Sequence, residues 1–318
     1  MPKLASVAAL LALGFAGALS LAQNQPTPGG TNPAGGAGAP AAGGQGAPGQ
    51  GAPRGRGRGR GNEDPDMVFT RPTDSPGLGK AMELPKPDAD GFSSMFNGTD
   101  LTGWDALPKF WSVKDGALDC VETGEQGGNI QSDLIWIDSQ QHPEKYANFE
   151  LRLKFKFLSH SGNSGVQFRS VMEKPDTKHI GGYQADMDPA NQYTGGIYDE
   201  SSKAGRRQKD VQHLLMAPRG FTVHYPADGS IGKATPLAEN AQTLTAAINP
   251  VRGEFNDMIV IADGSHITVK INGHVTCEMI DEDPRALTSG IIALQQHAGA
   301  QMEIQFKDIK IKMLPDKK

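Results

Sequence analysis

The sequence predicts an all-β fold, a sandwich or jelly roll, and three observations carry that expectation. Phe149, Leu151, Leu153, Phe155 and Phe157 alternate with Glu150, Arg152, Lys154 and Lys156, the period of two that marks a strand with one buried face. Short apolar runs recur between Asp-Gly and Asn-Gly pairs, which favour tight hairpin turns. No stretch reads as a helix of more than two turns.

The strand at 149–157 passes through His160-Ser161-Gly162-Asn163-Ser164-Gly165 into Val166-Gln167-Phe168-Arg169, so residues 148–170 form the two joined strands around which the rest is organised. Alternation turns Val166 and Phe168 inward and sets Gln167 and Arg169 together on the opposite face. There they either grip the oxygens of a polar ligand or meet water as a solvated outer face.

Before this core the composition changes twice in a chain of 318 residues and net charge -5. Residues 1–22 read as an export signal: Lys3, an apolar run to Leu21, and Ser20-Leu21-Ala22 as a small-x-small cleavage site. A membrane anchor is the alternative, disfavoured by Gly14, Gly17 and Ser20 within the run. Export would place the protein in the periplasm or cell envelope, or outside the cell. Residues 23–87 are a Gly/Pro/Ala/Arg-rich linker with hardly an aromatic, predicted to be disordered because they cannot bury enough apolar surface to offset the entropy of ordering. Within it, residues 54–60 alternate Arg and Gly as in segments that bind single strands of nucleic acid. No Phe or Tyr interleaves them, so the expectation is no specific nucleic acid partner and a basic stretch that touches the cell envelope.

Residues 88–315 suffice for one all-β domain. Phe92 to Trp104 opens it with a short strand and an Asn97-Gly98 turn; Asn97-Gly98-Thr99 also fits a glycosylation acceptor, but the turn explains it more simply. Runs at 111–113 and 117–121 flank Lys114-Asp115-Gly116 as a hairpin. Residues 171–247 show the weakest periodicity and read as long polar loops, with a basic patch at Arg206, Arg207 and Lys209. From Glu254 to Met279, Asp263-Gly264 and Asn272-Gly273 separate alternating runs into a three-stranded meander. Residues 291–295 and 302–313 complete the strands, and a change of parity at Lys307-Asp308 predicts a bulge. Cys120 and Cys277 either pair or stay as buried thiols; no CxxC or HExxH pattern suggests a familiar zinc site. Nothing in the sequence sets the oligomeric state.

Six short motifs stand in order along the chain: Phe96-Asn97-Gly98-Thr99-Asp100-Leu101-Thr102-Gly103-Trp104, Gly162 to Arg169, Gly182-Tyr183-Gln184-Ala185-Asp186, Gly253-Glu254-Phe255-Asn256, Ile271-Asn272-Gly273 and Leu294-Gln295-Gln296-His297. Together they resemble the 3-keto-disaccharide hydrolase domain family. The resemblance implies a concanavalin-A-like jelly roll of two stacked curved antiparallel sheets, and exported proteins acting on sugars oxidised to a ketone at C3. Many members read Gly-Tyr-Glu-x-Gln where this chain has Gln184 and Asp186, and Trp where it has Phe255, so its carboxylate is moved two positions along one strand face.

A 3-keto group acidifies the C2 proton, so the C1 substituent can leave by elimination with water added afterwards, given a base, an acid and donors for the enolate oxygen. On the motif positions, Asp186 is the candidate base, Glu200 a second carboxylate and His297 a proton-transfer group. Glu200 reads equally as the partner of Arg206 or Arg207, and His297 equally as a structural histidine. Asn163, Gln167, Arg169, Gln184 and Gln295 are candidates to bind an oligosaccharide or 3-keto-glycoside, and Tyr183 and Tyr198 to stack on its rings, with Trp104 assigned to the core. Plain hydrolysis by Asp186 and Glu200 stays open. So does a divalent cation held by Asp186, Asp188, Glu200 or His297, which the sequence neither requires nor excludes. The competing class is a carbohydrate-binding module without catalysis.

Overall fold

In the computed structural model, which describes residues 67–124, 130–201 and 215–316, alternation builds strands and the two α-helices have only five and six residues. The chain opens with β1 (Ser93–Ser94) and β2 (Trp104–Asp105), then the hairpin β3 (Trp111–Lys114) and β4 (Ala117–Glu122). β5 (Leu134–Trp136) runs into helix α1 (Ile137–Gln141), and β6 (Phe149–Phe157), β7 (Ser164–Lys174) and β8 (His179–Met187) follow. Four short strands, β9 (Ile197–Asp199), β10 (Leu215–Ala217), β11 (Phe221–Tyr225) and β12 (Lys233–Pro236), precede helix α2 (Ala241–Ala246). β13 (Asn256–Asp263), β14 (His266–Ile271), β15 (His274–Asp281), β16 (Ile291–Leu294) and β17 (Met302–Met313) complete the chain.

These strands make two sheets, the jelly-roll sandwich that the sequence predicts. The larger runs β12-β11-β15-β14-β13-β6-β17-β4-β3, with β1 beside β17, and the smaller runs β10-β9-β8-β7-β16-β5-β2. Between them lies one apolar core. On β6 the five predicted residues, Phe149 to Phe157, are buried while the charged ones between them are part-exposed. They meet Val166, Phe168, Tyr183, Ala185 and Leu294 from the smaller sheet, and Phe149 packs edge-on against Phe168 with centroids 6.4 Å apart. Trp104 is in this core, its indole N–H donating to the Met95 carbonyl at 2.8 Å. β6 and β7 are therefore joined but not paired: the glycine-rich turn carries the chain from one sheet to the other. Gly162 makes that crossing at φ +105, and a Cβ there would fall 2.7 Å from the Met302 side chain.

The turn signals hold. Asp115-Gly116 and Asn272-Gly273 each have two consecutive positive φ values, 52° and 73° and 49° and 86°, the geometry that matches strand twist in a two-residue hairpin. β13, β14 and β15 form the meander. β17 shifts register between Lys307 and Lys310, with Asp308 at φ 53°.

Three expectations need correction. The stretch 171–247, read as loops, contains β8 to β12 among its described residues. β8 escaped because it is buried on both faces from Ile180 to Met187, and such a strand shows no polar alternation. The folded part also begins before residue 88. Ser75 Oγ donates to the Pro108 and Trp111 carbonyls, Leu101 N–H donates to Pro76 O at 2.8 Å, Gly103 N–H to Lys80 O at 2.7 Å, and Leu78, Met82 and Leu84 pack on the core. The shared face for Gln167 and Arg169 fails at a β-bulge between Phe168 and Val171, where Arg169 adopts φ 49°. Cys120 and Cys277 are buried free thiols. Among the described residues no helix is long and apolar enough to cross a membrane. Residues 1–66, which hold the predicted leader and the Arg-Gly run at 54–60, and Arg206, Arg207 and Lys209 lie outside the described residues.

Candidate active site

Because Val166, Tyr183, Ala185 and Leu294 enter the core, their neighbours point to the opposite face of the smaller sheet. Register aligns them: Ala293 faces Gln167, Gln167 faces Gln184, and Gln184 faces Tyr198, while the next row sets Gly165 beside Asp186. Gln295 continues from β16 onto this row, its N–H donating to Gly165 O at 2.9 Å. Glu200, just beyond β9, donates its N–H to Gly182 O at 2.7 Å and shares the face of Gln184 and Asp186. The bare Gly165 is required here, since a Cβ would lie 2.5 Å from the Gln184 side chain folded over it.

One end of this face is roofed. In strand order β8 and β5 are separated by β7 and β16, yet Asp133 N–H donates to Lys178 O and Asp133 Oδ2 accepts the Ile180 N–H at 2.8 Å. The β7–β8 turn therefore arches over the sheet, and Ile135, Ile180, Ile291 and Ala293 form a second apolar cluster beneath it with Met172. Lys178 Nζ pins the arch to Asp105 Oδ2 at 2.6 Å.

Two carboxyl groups dominate the chemistry. Burial first, and the charge of Glu200 second, push Asp186 up to about 7. Three donors converge on its Oδ1, namely Met187 N–H at 2.9 Å, Asn163 Nδ2 at 3.2 Å and Gln184 Nε2 at 3.3 Å. Oδ2 accepts none among the described residues. Glu200 is also pushed up to about 7, by burial and then by Asp133, with His179 pulling the other way. The repulsion between the two carboxylates is mutual, although the charges at Asp133 and His179 dominate at Glu200. Around them, Gln167 Nε2, Gln184 Oε1 and both amide atoms of Gln295 are buried without a partner among the described residues. An unsatisfied buried amide costs about 1–3 kcal/mol, so four such atoms on one face mark a place that a polyhydroxyl ligand or water completes.

The structure thus brings together Asn163, Gln167, Gln184, Asp186, Tyr198, Glu200 and Gln295. It does not bring in Arg169 or Tyr183. The Arg169 guanidinium donates to Ala147 O at 2.6 Å, Gly264 O at 2.9 Å and Leu287 O at 3.2 Å, which ties three loops together. Tyr183 sits in the core, donating to the Asp281 carboxylate and accepting the Leu287 N–H. His297 is exposed with its Nδ1 2.8 Å from Ala298 O, and no contact joins it to Asp186 or Glu200 among the described residues. Asp188 spends both oxygens on the N–H groups of Gln192, Tyr193 and Thr194. Among the described residues no group of three or more His, Cys, Asp or Glu is arranged to hold a metal ion.

Asp133 and His179 escaped the sequence reading. Asp133 is fully buried and its Oδ2 lies 3.5 Å from His179 Nδ1. The available signal was a carboxylate set directly against the apolar run Leu134 to Ile137.

Two stacked sheets of this topology define the jelly-roll class, which lectin domains share, and that fold alone does not assign a function. Residues 91–312 match the 3-keto-alpha-glucoside-1,2-lyase-like domain, and the chain belongs to that family. Over 96 residues it is 35% identical to a 3-keto-disaccharide hydrolase of Bacteroides thetaiotaomicron, which covers 27% of this chain and 29% of that protein. The match thus spans under a third of that relative. A solved Parabacteroides distasonis protein, provisionally described as a glycosyl hydrolase, is 19% identical with a TM-score of 0.44, covering 74% of this chain and 99% of that one. A carbohydrate-binding module of Bacillus subtilis is 10% identical with a TM-score of 0.38, covering 69% and 99%. Those two likenesses carry no functional argument.

Proposed function

We propose that this protein is exported and cleaves the glycosidic bond of 3-keto-glycosides, with Asp186 and Glu200 moving the protons. The observation that carries the reading is the placement of two carboxyl groups, both raised to about 7, on one sheet face among unsatisfied amides. Around neutral pH such a pair holds about one proton, so one member serves as base while the other serves as acid. Asp186, held by three donors on Oδ1 and open at Oδ2, takes the C2 proton of the sugar. The C2–H electrons form the C1=C2 double bond, the C1–O bond breaks, and Glu200 protonates the departing oxygen. Water then adds to C1 as a proton returns to C2. The sum is hydrolysis, which reconciles the lyase wording of the family with the hydrolase name of the relative.

Gln167, Gln184 and Gln295 supply hydrogen-bond partners for sugar hydroxyls and for the enolate oxygen at C3. Location follows from the leader at residues 1–22, with the glycine- and proline-rich stretch after it as a tether to the envelope.

The test incubates the purified chain with 3-keto-trehalose and methyl 3-keto-glucoside, with and without chelator, beside Asp186→Asn. Turnover by the wild type that falls at least about a hundredfold in the variant is expected. Full activity in Asp186→Asn removes Asp186 from catalysis. Tight binding of sugar without turnover of any oxidised glycoside makes the protein a binding module instead.

A further inference from the structure

The outer face of the larger sheet, turned away from Asp186 and Glu200, carries a stripe of cations. Alternation points Arg152, Lys154 and Lys156 of β6 outward, and Lys307, Lys310 and Lys312 of the neighbouring β17 join them. Register sets like charges directly opposite one another, Lys154 against Lys307 and Arg152 against Lys310, an arrangement that destabilises a sheet. Two rings ease the repulsion. Phe92, only 4% exposed, has Arg152, Lys310 and Lys312 at 4.3, 4.8 and 5.7 Å from its centroid, and Phe255 has Lys156 and Lys307 at 4.5 and 4.1 Å.

Carboxylates offset only part of this charge. Glu150 pairs with Arg152 at 2.5 Å, Asp308 with Lys154 at 3.2 Å, and Asp88 approaches Lys310 to 3.9 Å. Among the described residues Lys156 and Lys307 have no carboxylate partner. The stripe follows about six residues of strand, or roughly 20 Å. Its Phe92 half opens on a cavity of about 830 Å³, where Arg152, Lys154 and Lys310 alternate with Asp88, Asp257 and Asp308, and Asp257 stands directly opposite Lys154.

Cations with carboxylates between them suit a ligand that carries anionic groups at intervals and hydroxyls in the gaps. The cations take its carboxylates or sulfates, and the Asp side chains accept its hydroxyls. Nucleic acid fits this face less well. It has a phosphate on every unit, which the Asp side chains repel, and its bases stack on open rings, whereas both rings here already hold cations.

We propose that this face docks a linear acidic polysaccharide. Bound there, the glycan holds the protein by its larger sheet and leaves the smaller sheet, with Asp186 and Glu200, free for a separate substrate. The inference goes beyond glycoside cleavage and stands without it.

The experiment titrates the full chain in a calorimeter with polygalacturonate, dextran sulfate, neutral dextran and single-stranded DNA, beside Lys156→Glu/Lys307→Glu and Asp257→Ala. Acidic glycan is expected to bind, with an affinity that falls as salt is raised, and neutral dextran is not. Binding of polygalacturonate alone or of dextran sulfate alone tells which anionic group the face reads. The double substitution should weaken that binding at least about tenfold without lowering the melting temperature. If the double variant melts early, Lys307→Gln, which keeps its stem beside Phe255, should still weaken binding about threefold. Asp257→Ala removes a negative charge from the stripe, so a plain anion surface would bind more tightly; the loss of a hydroxyl acceptor should instead weaken glycan binding about threefold. Tighter binding in Asp257→Ala, or DNA held more tightly than either glycan, overturns the polysaccharide. Unchanged affinity in the lysine variants overturns the face.

Discussion

Asp186 binds its proton more tightly in the fold than in the unfolded chain, and this has a sign that can be measured. With a folded value of about 7 against an ordinary 3.8, the native state holds more protons than the unfolded state between those limits. Stability therefore falls as pH rises from about 4 to about 7, and the full cost is present above 7. Asp186→Asn keeps an oxygen for the Met187, Asn163 and Gln184 donors without burying a charge. Its stability should exceed that of the wild type by about 3 kcal/mol at pH 8, with the gap closing by pH 4 in thermal melts. A variant that is inactive yet more stable at alkaline pH separates function from folding at a single atom. The Gln184–Asp186 spacing was legible in the sequence because a strand repeats every two residues. Arg169 was not, because its left-handed φ reverses the parity that Gln167 implies.

At the scale of elements, the alternation was readable on β6, where one face meets core and the other meets water. On β8 only the Gln184–Asp186 spacing was readable, because both faces of the strand are buried, the outer one in part by the arch. The bulge in β7 is likewise a tertiary device. Gly290 gives it room, since a Cβ there would fall 2.4–2.7 Å from the backbone of Arg169 and Ser170. Arg169→Ala removes the donors to three loop carbonyls, and it should cost about 3 kcal/mol in denaturant melts while KM stays unchanged. A raised KM with unchanged stability would return Arg169 to the binding face.

For the whole molecule, the fold class and the turns were evident from local pattern, but the start of the domain was not. The segment 75–85 has no strand or helix period and is ordered by bonds to Pro108, Trp111, Leu101 and Gly103 that no local signal announces. A chain beginning at Met67 should melt as the full-length protein does. One beginning at Asp88 should melt about 5–10 °C lower, through lost packing of Leu78, Met82 and Leu84.

The smaller sheet is assembled from segments far apart in the chain: β16, from the last tenth, is inserted between β5 and β7. β17 likewise separates β4 from β6 in the larger sheet. Neither layer is complete before β16 and β17 are synthesised, because each supplies an interior strand that joins segments far earlier in the chain. Such long-range pairing slows folding.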